Sequence, residues 1–317
     1  MLLKKNLLNF SFLLFLSFLT VSCNDDDSVI DKEDSIVEKA IKTTDLSTLV
    51  AALKQADLVG ALEGNGPFTV FTPTNAAFQN LLDSNDSWSS LEDIPKETLK
   101  SVLLFHVLSD EVKSTDLSDT YVKTLAVGPN DENLSLQVET TTAIEFNGDS
   151  KPVNVDVMAS NGIIHIVDKV MLPPNVVTLA LNNSGFTSLV ATLTDTRHTV
   201  DFVKILKGDG PYTVFAPTNA AFQTLLDSNS SWSALSDIPV ATLEAVLKYH
   251  VFASGNVQSD QLTDNQEITM FNDGKVTIDL SNVAKLETLS SQAVNISLTD
   301  VQGANGVIHV IDSVLLP

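Results

Sequence analysis

Two copies in tandem of one α+β domain are what this sequence predicts, and three observations predict it. The string "TVFTPTNAAF" at 69–78 returns as "TVFAPTNAAF" at 213–222, and the likeness extends over 66–95 and 210–239, where 24 of 30 residues are identical. "FHVL" at 105–108 then matches "YHVF" at 249–252, and "NGIIHIVDKVMLP" at 161–173 matches "NGVIHVIDSVLLP" at 305–317, all at the same offset of 144. A period of that size is a domain, since solenoid repeats run to roughly 20–50 residues. Finally, helical periodicity fills the front half of each copy and strand-like runs the back half. That order argues for an α+β domain and against alternating βαβ units.

The elements follow in order. Ile36, Val37, Ala40 and Ile41, then Leu46, Leu49, Val50 and Leu53, recur at the three- and four-residue spacings of amphipathic helices. "GPFTVF" reads as a turn into a short strand, which Pro73 stops because it has no N–H to donate. Thr74 or Asn75 can cap the next helix, whose Ala77, Phe78, Leu81 and Leu82 share one face. "KETLKSVLLFHVL" after Pro95 is a further helix, and the runs from "SDTYVKTLAV" to "GIIHIVDKVMLP" are strands. Asn147-Gly148 marks a tight turn, with Asn272-Asp273-Gly274 as its match in the second copy. The second copy gains four residues around "TDTRHT" at 194–199, a polar loop.

Residues 1–22 have the layout of an export signal: "MLLKK", then an uncharged Leu- and Phe-rich run. About 17 such residues span only ~25 Å at the helical rise, short of the ~30 Å hydrocarbon core of a bilayer. The run ends at Cys23, the one cysteine of the chain, immediately before "NDDD". "TVSC" resembles the lipobox of bacterial lipoproteins, although Thr20 stands where that box usually has Leu. The expected layout is a lipoprotein signal at 1–22, then a lipidated Cys23 with a solvated acidic tether at 23–34. Apart from Cys23 there is no thiol, so the chain has no disulfide, thiolate nucleophile or cysteine metal site. The formal net charge of −22 offers no basic stripe, which excludes nucleic acid as a partner and disfavours anionic membrane except through the lipid anchor.

Chemistry, if present, would be sought at the five histidines. His106 and His250 extend the apolar stripes Leu99-Val102-Leu103 and Leu243-Val246-Leu247, so both are expected buried and hydrogen-bonded. An exposed contact role is the lesser alternative. His165 and His309 sit in all-aliphatic strand runs and are expected to be structural. A His165–Asp168 dyad fails locally, because residues three apart in a strand point to opposite faces. His198 in the inserted loop is expected to be solvated. There is no zinc ligand spacing, phosphate loop, nucleophile elbow or calcium hand, so no catalytic or metal residue and no cofactor is assigned. Trp88 and Trp232, alone among serines, are each either a contact anchor or a lid over the local core.

Taken together, "TVFAPTNAAF", a "YH" dipeptide about 30 residues later and a terminal "NGVIHVIDSVLLP" resemble the three landmarks of the fasciclin domain, with Phe105-His106 departing from "YH" in the first copy. The resemblance implies two fasciclin-like domains, at 35–173 and 174–317, each a β-sandwich wedge decorated with α-helices. It implies a cell-surface adhesion module whose partner is a glycan or a matrix or cell-surface protein. Self-association as a structural spacer is the rival reading, and a hydrolase or metal-dependent module a remote one. In animal members the YH region is linked to adhesion, which nominates Tyr249, His250, Phe105 and His106 as contact residues beside Trp88 and Trp232. With the leader, the resemblance places the chain on the outer membrane, facing outwards.

Overall fold

The computed structural model describes residues 33–317, so the apolar leader, Cys23 and most of the acidic segment lie outside the described residues. The first repeat runs α1 (Ile36–Lys42), α2 (Ser47–Gln55), α3 (Val59–Leu62), β1 (Phe68–Pro73), α4 (Asn75–Asp83), α5 (Lys96–Phe105) and β2 (Val107–Leu108). It ends in β3 (Thr120–Val127), β4 (Asn133–Glu139), β5 (Glu145–Phe146), β6 (Pro152–Ala159) and β7 (Gly162–Val167). The second repeat copies this order. Its front half is α6 (Val176–Asn182), α7 (Thr187–Leu193), α8 (Phe202–Leu206), β8 (Tyr212–Pro217), α9 (Asn219–Asp227), α10 (Val240–Tyr249) and β9 (Val251–Phe252). Its back half is β10 (Glu267–Thr269), β11 (Lys275–Asp279), β12 (Lys285–Thr288), β13 (Ala293–Gly303) and β14 (Gly306–Ile311).

The three repeated strings become neighbours. In the sheet β2-β1-β7-β6, β1 pairs parallel with β7, from Phe68 opposite Gly162 to Pro73 opposite Val167. The short β2 that follows the "FH" pair lies antiparallel on the other side of β1. Because side chains alternate along a strand, β1 feeds two cores. Val70 joins Ile164, Leu49, Phe78, Leu99 and Leu103 beneath the helices. Phe71 joins Phe105, Leu136, Phe146 and Val167 against a second sheet, β3-β4-β5. Val214 and Phe215 divide in the same way in the second repeat. There β12 pairs with β13, so the two sheets merge into one of order β10-β11-β12-β13-β14-β8-β9.

The polar letters of the strings are fasteners. Thr74 caps α4 by accepting from the Ala77 N–H at 3.1 Å. Asn75 turns outwards instead: it accepts from the Thr48 N–H at 2.9 Å and donates to the Thr44 carbonyl at 3.1 Å, which ties α2 to α4. Asn161 accepts from the Ile36 N–H at 3.0 Å and donates to the Leu62 and Gly64 carbonyls at 2.8 and 2.9 Å. Asn305 makes the same three bonds to Val176, Leu206 and Gly208. One turn departs from expectation. Asn147-Gly148 follows β5, whereas Asn272-Asp273-Gly274 joins β10 to β11, so the two turns are not equivalent. Left-handed backbone demands such residues wherever it occurs, and so they do not mark a fixed place in the fold.

The repeats also touch each other within the unit Glu33–Pro317. Leu134, Leu136 and Val138 of β4 enter their own core, while Ser135 on the opposite face is fully buried and accepts from the Gln302 N–H of β13 at 2.9 Å. Lys123 donates to the Asp300 carbonyl at 2.6 Å, and Asn130 to that of Asn256 at 3.1 Å. Gln302 is itself buried and exchanges hydrogen bonds with the Asn256 side chain while accepting from that of Gln258, so the junction is polar but satisfied.

Replacing Asn161 by Ala removes three bonds and leaves the Ile36 N–H without its partner. Urea unfolding is expected to register a loss of roughly 2–3 kcal/mol, and Asn305→Ala a similar one. A loss below ~0.5 kcal/mol in both would mean the asparagines are not what fastens α1 and α6 to their sheets.

Candidate functional site

His106 closes α5 and is 1 % exposed. Its Nδ1 donates to the Val102 carbonyl at 2.7 Å, and its Nε2 accepts from the Met171 N–H at 3.0 Å. Accepting at one nitrogen and donating at the other is the neutral imidazole. Burial holds its pKa down at about 4. His250 repeats the arrangement with Val246 and Leu315, again with burial lowering its pKa to about 4. The ring thus joins the end of the helix to the segment that leaves β7 or β14. The expectation of buried, bonded histidines holds for both.

Phe105 is fully buried in the sheet-side core, and Tyr249 is 1 % exposed with its hydroxyl donating to the Lys275 carbonyl at 2.5 Å. These burials correct the contact role nominated for Phe105, His106, Tyr249 and His250. A helix that ends against two sheets must turn its last residues inwards, and a ligand cannot reach them in this fold. Trp88 and Trp232 are half-buried, each packed on the helix-side core of its repeat, which matches the lid. The serines around them serve turns: Asn85 accepts from the Ser87 N–H, and Asp93 from those of Ser89 and Ser90.

What the YH segment does present is the loop after it. Thr69 donates to the Asp110 carbonyl at 2.6 Å and accepts from the Val112 N–H at 2.8 Å. His165, fully buried in β7 and stacked on Phe71 with ring centroids 5.6 Å apart, donates to the Val112 carbonyl at 2.9 Å. Asp156, at a left-handed bulge of β6, accepts from the Ser114 N–H at 2.8 Å and from its hydroxyl; those bonds hold its carboxyl below the usual range. The loop is clamped at three points with Asp110, Glu111, Lys113 and Thr115 outermost. In the second repeat Thr213, His309 and Asp300 build the same clamp. There Asn256 and Gln258 are buried towards the first repeat, so that loop serves the junction. His309 lies 4.0 Å from an Asp300 oxygen, yet burial outweighs the carboxylate and its pKa is lowered.

His198 departs from its reading. Its side chain is 3 % exposed, its Nε2 donates to the Thr192 carbonyl at 2.7 Å, and its ring meets Phe202 edge-on at 5.1 Å. The inserted loop folds back over its own helix, which no local pattern announces. Among the described residues no group of three or more His, Cys, Asp or Glu could hold a metal ion. Tyr121, Gln137 and Asn183, which no motif in the sequence marks, line a concave surface between the repeats. The available signal was the alternation in "NLSLQVE", whose second face carries Asn133, Ser135 and Gln137, uncharged polar residues, before its one charge at Glu139.

Comparison with known proteins adds relatives. The fasciclin-domain family model matches residues 44–173 and 184–317. Protein sll1483 of Synechocystis sp. is 40 % identical over 144 residues, which is 45 % of this chain and 76 % of that protein. Human periostin is 30 % identical over 210 residues, 62 % of this chain but 22 % of that one. Mouse stabilin-2 gives 30 % over 210 residues, again 62 % of this chain and 8 % of the relative. Among solved structures, a FAS1 domain pair from the insect cell adhesion molecule Fasciclin I covers 89 % of this chain and 96 % of its own, at 17 % identity and a TM-score of 0.48.

The two imidazoles carry a pH prediction. Unfolded histidines take up protons below about 6.5, whereas His106 and His250 refuse them down to about 4. Stability is therefore complete above that upper value and falls as the pH drops through the window, by roughly 3 kcal/mol per histidine. Urea unfolding between pH 7 and 4 is expected to follow this slope. His106→Ala or His250→Ala should lose a few kcal/mol at pH 7 and flatten it. Unchanged melting of both variants would overturn the structural role.

Proposed function

The chain belongs to the fasciclin-domain family, and from that membership we propose that it is a non-enzymatic adhesion module, held on the outer surface of a bacterial cell by a lipid on Cys23. The observation that carries the proposal is how the repeated strings use their reactive groups. The paired histidines, Thr69, Thr213, Asn161 and Asn305 all spend their bonding capacity on backbone within the fold. Side chains committed in this way build a scaffold and are not free to take part in a reaction. Recognition is then left to surfaces that the scaffold presents, and the exposed loop Ser109–Asp116 is one of them.

The partner in this reading is a glycan or a matrix or cell-surface protein. The leader at 1–22 would direct export, and the acidic segment 24–34 would hold the repeats away from the lipid through its solvation and self-repulsion. Two repeats would increase avidity only where both can engage one partner surface at once.

Two measurements test this. Residues 33–317 applied to arrayed glycans and matrix proteins at physiological salt are expected to give a saturable signal. A flat array, together with concentration-dependent self-association in sedimentation, would replace adhesion to a foreign partner with homotypic pairing. In cells, labelling with a radioactive fatty acid is expected to mark the chain and to vanish in Cys23→Ala. Label that persists in that variant would sink the anchor.

A further inference from the structure

Strand β4 has two buried faces, and its outward face is used unevenly. Ser135 is bonded across the junction to Gln302, but two residues further on Gln137 has no such partner. It is 7 % exposed, and its Oε1 is sealed from solvent without a donor. Only Asn147 Oδ1 and His198 Nδ1 share that condition among the described residues. Buried amides are normally paired, because desolvating one without a partner is costly. Gln137 lines a cleft of about 340 Å³ between the repeats. That is at the small end of the range for small-molecule sites.

The rest of the lining defines what would fit. Tyr121 lays its ring on the core of the second repeat, and its hydroxyl accepts from Asn183 Nδ2 at 2.7 Å, which leaves the phenol proton free to donate. Burial raises its pKa, so that proton stays in place. Glu139 supplies a carboxylate acceptor on the same strand face as Gln137, while Leu298 adds apolar surface. Asp119 is already committed, since its two oxygens accept from Thr140 and Thr141. An anion is repelled by these carboxylates and by a chain of net charge −22. A cation would answer Glu139 but not the N–H groups of the amide. Adjacent hydroxyls on a sugar ring both donate and accept, and the ring offers an apolar face to Tyr121.

We propose that the cleft between the repeats, formed by Tyr121, Gln137 and Glu139 on one wall and Asn183 and Leu298 on the other, is a binding site for a neutral saccharide. The proposal rests on the adhesion reading and narrows its ligand to a carbohydrate held by both repeats at once.

Calorimetric titration of residues 33–317 with glucose, galactose, mannose, N-acetylglucosamine, lactose and cellobiose tests it. At least one sugar is expected to saturate at one site per chain. Gln137→Met and Glu139→Gln should each weaken that binding about tenfold or more. A purely structural Gln137 predicts a lower Tm for Gln137→Met; the proposal predicts an unchanged or higher one, because the variant removes an unpaired buried amide oxygen. Glu139→Gln at the edge of the cleft keeps the test independent of folding. A panel without binding overturns the site. Sugar binding that survives both substitutions also overturns it, yet leaves the adhesion reading standing, as does array capture of a protein partner alone. Silence in both assays removes both readings.

Discussion

Everything in each repeat hangs on one parallel strand pair. Parallel strands need a long crossover, and here most of the repeat is that crossover: helices α4 and α5 and five of its seven strands lie between Phe68–Pro73 and Gly162–Val167. The pair packs closely at its start. A Cβ on Gly162 would lie 2.0 Å from the Phe68 carbonyl oxygen, so only glycine lets β7 begin against β1. From this pair the fasteners radiate. The Phe71 N–H donates to the His106 carbonyl at the end of α5, His165 and Thr69 hold the following loop, and Asn161 holds α1 and the turn after α3.

That dependence explains why duplication left these strings nearly intact while other parts drifted. A buried polar group that loses its partner costs more than the bond was worth, so Asn, Thr and His in these places change only together with what they touch. The drift is visible in the sheets. The first repeat keeps β5 apart from β6, while the second extends β13 and joins it to β12. The two "YH" loops also differ in use, one open and acidic, the other folded into the junction.

The junction is where two similar domains cease to be equivalent. The outward face of β4 is covered by the second repeat, whereas the matching face of β11 leaves Lys275 exposed and Thr277 half-covered. Covering a strand face usually favours apolar residues. Here Ser135, Gln302, Asn256 and Gln258 satisfy one another instead, a geometry that fixes register more than it adds stability. Against that satisfied background, the unpaired amide oxygen of Gln137 is an exception with a location, in a cleft that neither repeat forms alone.

The sequence by itself determined the duplication, the α+β order, the strand-to-capped-helix passage at Pro73–Thr74 and the burial of His106 and His250. The duplication shows in matching strings 144 residues apart, and each of the others follows from a short-range rule: a period of 3.6 or 2, a missing N–H, or an apolar stripe. Tertiary structure decided what those rules do not encode. Asn75 reaches α2 and leaves the cap to Thr74. Tyr249 and Phe105 point inwards because two sheets converge on the end of their helix, and His198 is covered by a loop that turns back on itself. Tyr121 and Gln137 face each other across β3 and β4, and Asn183 joins them only because two repeats meet. Contacts made across such distances in the chain depend on how finished domains pack, and no local pattern of residues carries that information.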